Sequence, residues 1–539
     1  MTGAEVMAKC LEKEGVTDIF GYPGVAIAPF YEAIRASKIN AVLVRTEQSA
    51  AHAASGYTRC GRDIPGVCAV TSGPGATNLI TGIATAFADS IPLICITGQV
   101  KSELMGGDVF QEADIIGACE SFVKYSYLIR NVEDIPRVFK EAFHVANTGR
   151  KGPVLIDVPI DIQQDEIKKF VYPEEISMRT YKPTVKGNMV QIKKLIKALE
   201  KAKKPLIYAG GGVILSNAGN KLMEFADKNR IPVVSTMMGI GVMPTNHPLY
   251  FGMVGNNGKA YANRAVAECD VVIVVGARVA DRAVNQPDLM TKDKVMVHID
   301  VDPAEIGKNA GPTIPIVGDA FYIFDDLLVS EFTADYEEWI ETLNGYKERM
   351  VESRKINKDF VDAPLFIQKL TDYMKEDSVY VADVGQNQMW SCGYANIKKG
   401  RFLTTGGMGT MGYSIPAAMG AKISNPDKQV VAVCGDGSFQ MSMCELATIR
   451  QNKVPVKIIV FNNGYLGLVR EFQHYNYADK YSVVDLTGNP DLEKLSKAYD
   501  IPFMRLYDME DADKVIKKFL ENDECYLMEC MIDPMAVVK

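Results

Sequence analysis

The sequence has only 5 histidines and 2 tryptophans in 539 residues, and it contains no Gly-x-Ser-x-Gly elbow. A hydrolytic triad therefore finds no support. No segment approaches the roughly eighteen uninterrupted apolar residues that a membrane-spanning helix needs. The first residues, MTGAEVMAKCLEKEGV, lack a basic stretch followed by an apolar core. We therefore expect neither an export signal nor a membrane partner.

None of the 11 cysteines forms a Cys-x-x-Cys pair or a disulfide-like framework, and several, such as Cys68, Cys95 and Cys434, lie in apolar segments. A reduced, cytoplasmic location fits this pattern best. Lys and Arg are scattered and the net charge is −8, so there is no basic stripe and we expect no nucleic-acid partner. Apolar residues at 47% and charged residues at 23% are typical of a soluble globular protein. The length indicates about three or four domains.

The run CGDGSFQMSMCELATIRQNKVPVKIIVFNN concentrates the chemistry of the sequence. It follows a short apolar segment that predicts a buried strand, and Gly435-Asp436-Gly437-Ser438 ends that strand where a helix begins. Glycines let the backbone approach an anion, and free N–H groups at the helix start point toward it, so a cofactor phosphate fits there. Asp436 beside a phosphate requires a cation between them. Asn463 closes the next predicted strand and supplies the oxygen that a hard divalent ion prefers.

The interval between Asp436 and Asn463 takes the chain from one strand end, through a helix, to the neighbouring strand end. Both side chains are therefore expected at the same carboxyl edge of a parallel sheet, where such sheets bind ligands. Two ordinary turns are the alternative interpretation, which the coupled pattern disfavours.

This run resembles the diphosphate-and-magnesium motif of thiamine-diphosphate (ThDP) enzymes, and its sequence is most similar to that of acetolactate (acetohydroxyacid) synthase. The resemblance extends over nearly the whole chain. It implies a ThDP-dependent transferase in which Mg²⁺ is bound by Asp436, Asn463 and the backbone carbonyl of Tyr465. It also implies that Gly437 and Ser438 belong to the turn that holds ThDP.

Alternating strand and helix patterns indicate an α/β protein, and the resemblance implies three doubly wound parallel-sheet domains. We expect a pyrimidine-binding domain in residues 1–165, a central FAD-binding domain in residues 188–330 and a diphosphate-binding domain in residues 360–539. A polar stretch broken by prolines predicts a linker over about residues 165–187. The charged segment 330–357 predicts a helical connector.

Glu47 lies in RTEQSAAHAASGYTR, where a predicted strand meets a predicted helix. The helix dipole alone commonly explains a glutamate in a first helical turn. In the resembled enzymes a glutamate at this corner bonds the aminopyrimidine ring and stabilises the imino form that deprotonates the thiazolium carbon, which implies a catalytic role for Glu47. The loop GGDVFQE similarly implies that Phe110 and Gln111 lie beside the cofactor. A loop anchor and a solvated amide are the alternatives for these two residues.

Segments of the last domain resemble family segments that contact the cofactor. Gly385 and Gln386 are implied to contact the diphosphate, and Asn387 stands where the family usually has histidine, so a shorter amide replaces an imidazole donor. In TGGMGTMG, the carbonyl of Gly409 is implied to hold the amino group of ThDP. Met411 is implied to be the wedge that bends the two rings of ThDP toward each other. The alternative is that Met411 only fills the core.

The middle domain carries glycines at a predicted strand end, in KPLIYAGGG. Their spacing is not that of the nicotinamide fingerprint, so this motif alone does not identify a ligand. Its surroundings resemble the FAD-binding domain of acetolactate synthase. The flavin is implied to be structural, because the carboligation has no net electron transfer. The implied contacts are Gly211, Gly212, Met238, Gly239, Gly276, Arg278, Asp300 and Ile306.

The resemblance implies that pyruvate is decarboxylated and that its two-carbon unit passes to a second 2-oxo acid, pyruvate or 2-oxobutyrate, as in branched-chain amino-acid biosynthesis. A ThDP-dependent 2-oxo acid decarboxylase, or a related carboligase with another acceptor, is the alternative. The middle glycines alone suggest a flavin or dinucleotide dehydrogenase, and a non-catalytic scaffold is disfavoured because Glu47, Asp436 and Asn463 are all present. The family also implies a homodimer or homotetramer, and a small regulatory subunit stays open as a partner.

Departures from the family pattern concern the substrate pocket and its surroundings. Val25 follows Pro23-Gly24 where the family usually has a second glycine, and Phe472 stands where the family usually has tryptophan. Asn387 and Asn257 replace the usual histidines. The sequence ends at MIDPMAVVK, which we expect to fall short of the C-terminal arm that helps to close the site. Val25 and Phe472 are therefore the candidate substrate residues, and the preferred acceptor stays open.

Overall fold

The computed structural model describes residues 1–61, 63–284, 286–350 and 356–538. It contains three six-stranded sheets in which the paired strands run parallel, with helices on the crossovers. This confirms the expected α/β class with three parallel-sheet domains. The strands are near-continuous apolar runs because both faces of each sheet are covered. Among the described residues, no helix has the length and apolar character required to cross a membrane.

The first sheet has the strand order β2-β1-β3-β4-β6-β5. A capping box between Thr2 and Glu5 begins its first helix. Its elements are α1 Gly3–Lys13, β1 Asp18–Tyr22, α2 Ala28–Arg35, β2 Asn40–Leu43, α3 Glu47–Cys60, β3 Gly66–Val70, α4 Pro74–Ala88, β4 Leu93–Gln99, α5 Ile115–Cys119, β5 Tyr125–Leu128, α6 Ile135–Asn147, β6 Pro153–Pro159 and α7 Ile160–Gln164.

The second sheet has the order β12-β11-β10-β7-β8-β9. The predicted glycine cluster does follow a strand end, since β7 stops just before it. The elements are α8 Met189–Leu199, β7 Pro205–Ala209, α9 Gly211–Leu215, α10 Gly219–Asn229, β8 Val233–Ser235, β9 Tyr250–Met253, α11 Ala260–Glu268, β10 Val271–Val275, β11 Val295–Asp300, β12 Ile314–Val317, α12 Ala320–Leu328 and α13 Glu337–Arg349.

The third sheet has the order β14-β13-β15-β16-β18-β17. Its elements are α14 Ala363–Tyr373, β13 Val379–Ala382, α15 Gln386–Tyr394, β14 Arg401–Leu403, α16 Ser414–Ser424, β15 Val430–Gly435, α17 Asp436–Ser442, α18 Glu445–Asn452, β16 Lys457–Asn462, α19 Gly467–Tyr477, α20 Leu492–Ala498, β17 Phe503–Leu506, α21 Ala512–Leu520 and β18 Tyr526–Met531.

The segments between the sheets differ in structure. Residues 165–188 contain no helix and no strand of a sheet, as expected of a linker. The ammonium of Lys124 donates a hydrogen bond of 2.6 Å to the hydroxyl of Tyr181, so this linker packs on the first domain. Helix α13 occupies much of the predicted connector 330–357, of which residues 351–355 lie outside the described residues.

The first and third domains share one apolar core through helices α3 and α16. The two helices approach closely because small residues face each other. A Cβ built on Gly56 would overlap the backbone of Ala417, and one built on Gly420 would overlap the backbone of Ala53. Helix α3 begins at Glu47, so this packing fixes that residue relative to the third domain of the same chain.

Candidate active site

Asp436 and Asn463 lie at the same carboxyl edge of the third sheet, as their spacing predicts. Strands β15 and β16 are parallel neighbours, with Gly435 opposite Phe461. Asp436 follows the end of β15 as the first residue of α17, and Asn463 directly follows β16. The crossover therefore brings a carboxylate and an amide oxygen to one point at the strand ends.

Asp436 is a buried carboxylate. Burial raises its pKa to about 6, and hydrogen bonds that stabilise the anion oppose this shift. Oδ2 of Asp436 accepts from Nδ2 of Asn489 at 2.7 Å and from the backbone N–H of Gly464 at 3.0 Å. Asn489 lies in a loop between helices and belongs to no motif, so no sequence signal points to it. A carboxylate so removed from water fits a hard cation, which would replace the lost hydration.

The neighbouring amides hold one another in place. Nδ2 of Asn463 donates to Oε1 of Gln386 at 3.1 Å, and Oδ1 of Asn463 accepts from the backbone N–H of Tyr465 at 3.0 Å. Nε2 of Gln386 donates to Oε2 of Glu471 at 2.9 Å and to the carbonyl of Ala536 at 2.8 Å. The side chain of Gln386 thus bonds to the metal-site candidate and to the last residues of the chain. Its contact with the diphosphate, like the carbonyl contact from Tyr465, stays a prediction.

Asn387 is also engaged within the protein. Its Nδ2 donates to the carbonyl of Asp383, directly after β13, at 2.7 Å and to that of Val433, near the end of β15, at 3.3 Å. Gly385, directly before α15, has φ +137, a backbone conformation that favours glycine. The replacement of histidine by Asn387 therefore leaves a buried amide that stabilises the strand ends, while its phosphate contact stays predicted.

The turn after β15 is compact and faces Met411. The hydroxyl of Ser438 accepts from the N–H of Gly435 at 3.1 Å and lies 3.2 Å from its carbonyl. A Cβ built on Gly437 would lie 3.6 Å from Cε of Met411 and 2.8 Å from Leu466. Met411 therefore lies against the turn rather than deep in an unrelated core.

The segment 405–412 is anchored at both ends by buried carboxylates. Asp89 accepts from the N–H of Gly407 at 2.7 Å, and Asp383 accepts from the N–H of Gly412 at 2.9 Å. Gly409 lies between these anchors with φ +66, and a Cβ built on it would meet nothing within 4 Å. The carbonyl of Gly409 thus belongs to an anchored segment, and the space beside the Cα of Gly409 is open.

Glu47 lies far from Met411 within one chain. Glu47 Oε2 accepts from Nδ2 of Asn78 at 3.1 Å, and a Cβ built on Gly75, at the start of α4, would lie 3.4 Å from its Oε1. Near the other end of α4, the hydroxyls of Thr85 and Thr410 are 2.6 Å apart. At about 1.5 Å rise per residue, the helix separates Asn78 from Thr85 by roughly 10 Å and Gly75 from Thr85 by roughly 15 Å. Within one chain, Glu47 and the segment that carries Met411 therefore contact different ends of α4.

Three apolar candidate residues are largely exposed in one chain. The exposed fractions are 79% for Val25, 88% for Phe110 and 56% for Phe472. Phe472 makes an edge-to-face contact with Tyr477, with ring centroids 6.0 Å apart. Gln111 has φ +60 and its backbone lies against Gly73.

A cavity of about 600 Å³ lies between the three domains. Its walls include Asp89 and Arg150 of the first domain and the start of segment 405–412 of the third. Six of the eight predicted flavin residues line it, whereas Gly239 and Ile306 do not. The six are Gly211, Gly212, Met238, Gly276, Arg278 and Asp300.

Charged groups of the cavity wall connect the first and second domains. Arg150 forms ion pairs of 3.2 Å with Asp302 and 2.7 Å with Glu305, although no sequence motif marks it. Burial raises the pKa of Asp300 to about 6. A Cβ built on Gly212 would lie 2.7 Å from Cα of Gly276, so close packing of backbones already requires both glycines.

Comparison with known families agrees with this arrangement of three sheets and one strand-end site. Residues 1–118 match the thiamine pyrophosphate enzyme N-terminal TPP binding domain, and residues 192–327 match the central domain. Residues 383–530 match the C-terminal TPP binding domain. The chain is therefore a ThDP enzyme, and ThDP is its cofactor.

Individual relatives define the family more narrowly. The chain is 43% identical to a probable acetolactate synthase large subunit of Methanocaldococcus jannaschii, over 99% of this chain and 92% of the relative. It is 41% identical to the acetolactate synthase large subunit of Corynebacterium glutamicum, over 100% of this chain and 88% of the relative. The chain belongs to the acetolactate synthase large-subunit family.

Proposed function

We propose that this chain decarboxylates pyruvate and transfers the two-carbon unit to a second 2-oxo acid, pyruvate or 2-oxobutyrate. The observation that carries the proposal is the meeting of Asp436 and Asn463 at one sheet edge, beside the turn that faces Met411. When bound, ThDP supplies the electron sink that both the decarboxylation and the carbon–carbon bond formation need. The names of the relatives, acetolactate synthase, support the same product.

Mg²⁺ is the proposed metal, with Asp436, Asn463 and the carbonyl of Tyr465 as protein ligands. Three oxygen donors suit a hard divalent cation, and water and phosphate oxygens commonly complete its shell. Nδ2 of Asn463 donates to Gln386, so the oxygen end of the Asn463 amide faces away from Gln386. This fixed orientation supports the role of Asn463 as a metal ligand.

Glu47 is the proposed catalytic acid. Its carboxyl group would share a proton with the aminopyrimidine ring of the cofactor, and Asn78 would orient it through the 3.1 Å hydrogen bond to Oε2. Met411 would support the two rings of the cofactor, while the carbonyl of Gly409 would accept a hydrogen bond from the amino group of the cofactor. Phe110 and Gln111 would exclude water and contact the reacting groups.

The active site is proposed to be shared between two copies of the chain. Within one copy, roughly 10 to 15 Å of helix α4 separates the residues that contact Glu47 from the one that contacts the Met411 segment, so Glu47 would meet the Met411 of a second copy. The exposed Val25, Phe110 and Phe472 support this, because a second copy would cover them. A homodimer is the smallest assembly with complete sites, and a homotetramer satisfies the same requirement.

Complementation tests the shared site. We expect Glu47→Gln and Asp436→Ala each to be nearly inactive alone. When the two variants are co-expressed, half of randomly formed dimers are mixed and one of the two sites in each is intact, so about a quarter of the parental activity should return. Each variant co-expressed with itself is the control. No recovery in verified mixed dimers would contradict a shared site.

FAD is the proposed occupant of the 600 Å³ cavity, in a structural role. The cavity has the size and the mixture of apolar and polar walls of a cofactor site, and its Arg278 could meet an anionic group. The absorption spectrum of the purified protein tests this proposal directly. Bleaching of the flavin by substrate without oxygen, at the rate of turnover, would favour the dehydrogenase interpretation instead.

Two further proposals concern a partner subunit and the location of the enzyme. A large subunit is named in contrast to a smaller one, so a regulatory subunit is a proposed partner. A reducing cytoplasm is the proposed location, because all eleven cysteines are free. Co-purification with a small subunit encoded in the same genome, and cell fractionation, test the two statements.

Product analysis decides the central proposal. Purified protein is incubated with pyruvate, ThDP and Mg²⁺, with and without 2-oxobutyrate. We expect acetolactate from pyruvate alone and acetohydroxybutyrate when 2-oxobutyrate is added. Acetaldehyde without acetolactate would overturn the proposal in favour of a 2-oxo acid decarboxylase.

A further inference from the structure

The end of strand β4 contacts both first-domain segments that carry candidate active-site residues. A Cβ built on Gly98 would overlap the carbonyl of Ala26, the residue after Val25. One residue further, the side chain of Gln99 reaches the carbonyl of Ala113, two residues after Gln111. The last two residues of one buried strand therefore lie against two loops of the site.

Gln99 belongs to a buried polar network that joins β4 to β6. Thr97 and Gln99 point to the same face of the sheet, and Asp157 is the register partner of Thr97. The hydroxyl of Thr97 donates to Oδ1 of Asp157 at 2.6 Å, and Nε2 of Gln99 donates to Oδ2 at 3.0 Å. All three side chains are buried, so each hydrogen bond matters because water does not replace it.

The amide of Gln99 is fully used. Besides Asp157, its Nε2 donates to the carbonyl of Ala113 at 2.8 Å, and its Oε1 accepts from the N–H of Val100 at 2.9 Å. Gln99 thus fixes the first residue of the 100–114 loop and a residue near its end. Asp157 orients the amide, because the carboxylate accepts the second N–H of Nε2.

The end of the 100–114 loop transmits this anchor to Phe110 and Gln111. Two residues after Ala113, helix α5 begins at Ile115, which is buried in the core. On the other side, Gln111 has φ +60 and packs against Gly73. Between these points, the chain has little freedom, so the position of Ala113 determines where Gln111 lies.

We propose that Gln99, oriented by Asp157, is a positioning residue that holds Phe110 and Gln111 in place for the carboligation. Neither Gln99 nor Asp157 touches the reacting atoms. The inference rests on the proposed function, because it assigns a role within that reaction. Small displacements of groups that contact reactants lower turnover strongly, even when the displaced groups are held from a distance.

Gln99→Met tests the proposal, because methionine has a similar length and donates no hydrogen bond. We expect the backbone amides of Val109 and Glu112 to exchange with deuterium about tenfold faster, since the loop opens more often. We expect kcat at saturating pyruvate to fall about tenfold or more, with a smaller change in KM. Both are measured well below the unfolding temperature. Unchanged loop exchange and unchanged kcat in the folded variant would overturn the inference.

Gln99→Asn covers the case in which the methionine variant does not fold. The asparagine amide still offers a donor to Asp157, but it is one methylene shorter and does not span to Ala113. The same faster loop exchange and lower kcat are expected, and parental values in this variant would equally overturn the inference.

Gln429→Met is the matched control. Gln429 is also buried and bonds two backbone groups, accepting from the N–H of Lys375 at 3.1 Å and donating to the carbonyl of Leu520 at 3.4 Å. It precedes β15, at the end of the sheet opposite Asp436. Its replacement should lower thermal stability without changing loop exchange or kcat. If loop exchange is equal in the Gln99 and Gln429 variants, Gln99 only stabilises the fold in general and does not position the loop. If the parent makes no acetolactate, the proposed function fails, whereas the exchange comparison still tests how Gln99 holds the loop.

Discussion

Asn489 donates a hydrogen bond of 2.7 Å from Nδ2 to Oδ2 of Asp436, and the N–H of Gly464 donates to the same oxygen at 3.0 Å. Two donors therefore orient a carboxylate that is buried at the end of β15. Burial raises the pKa of Asp436 to about 6, so its anion is less strongly favoured than that of an exposed aspartate, and a bound cation would restore that preference. This geometry suits a carboxylate that binds a cation.

We expect Asp436→Ala to lower ThDP affinity at least tenfold, because it removes a hard-cation ligand beside the diphosphate. Excess Mg²⁺ should rescue binding only partly. Titration calorimetry with ThDP at several Mg²⁺ concentrations measures both effects. Asn489→Leu keeps the carboxylate and removes one donor, so its loss should be smaller. Equal ThDP affinity in Asp436→Ala and the parent would rule out the ligand role.

The convergence of Asp436 and Asn463 could be predicted because the parallel crossover fixes where each strand ends. The contribution of Asn489 could not, since it lies in an irregular loop and no periodic pattern relates it to Asp436. The bonds of Gln386 to Glu471 and Ala536 also have no local signal, because they depend on how α19 and the end of the chain pack on the site. Sequence patterns thus specified strand-end positions and not the hydrogen bonds made across loops.

The Glu47 assignment came from a local match and a strand-to-helix corner, which the structure contains. The distance from Glu47 to Met411 could not be read from the sequence, because it depends on the packing of α3 on α16 and on the length of α4. Likewise, the flavin residues Gly239 and Ile306 match by position, but only the fold determines which side chains reach the cavity wall.

Glu47→Gln should retain ThDP binding and lose activity by about two orders of magnitude or more, because an amide cannot share the acidic proton. Steady-state rates and ThDP titration separate the two properties. Asn78→Ala provides a graded comparison, since it keeps the carboxyl group and removes the 3.1 Å hydrogen bond that orients it. Parental turnover in Glu47→Gln would contradict the catalytic role of Glu47.

Asp157→Asn should change how stability depends on pH. Burial raises the pKa of Asp157 from 3.8 to about 7, with hydrogen bonds from Thr97 and Gln99 opposing and nearby Asp114 reinforcing the shift. The folded state therefore binds this proton more tightly, and the parent loses stability as pH rises from about 4 to about 7. Asparagine removes that loss while its amide still accepts from Gln99 and donates to Thr97.

Unfolding temperatures of the parent and Asp157→Asn, measured between about pH 5 and about pH 8, check this expectation. The difference should shift in favour of the variant as pH rises. Thr97→Val serves as the control, because it removes a neighbouring hydrogen bond and keeps the titrating group. A pH-independent difference between the parent and Asp157→Asn would show that Asp157 does not titrate in this range.

Phe472→Trp should strengthen the preference for 2-oxobutyrate over pyruvate as acceptor. Phe472 is 56% exposed and contacts Tyr477 at its edge, so the larger indole fits without disturbing a core. One methylene in an apolar pocket supplies about 1–3 kcal/mol of discrimination, and part of that contact is missing with phenylalanine, so the product ratio should rise about threefold or more. Competition assays with both acceptors measure the ratio of acetohydroxybutyrate to acetolactate, and Phe472→Leu should lower it. An unchanged ratio in Phe472→Trp would mean that Phe472 only packs against Tyr477 and does not set acceptor choice.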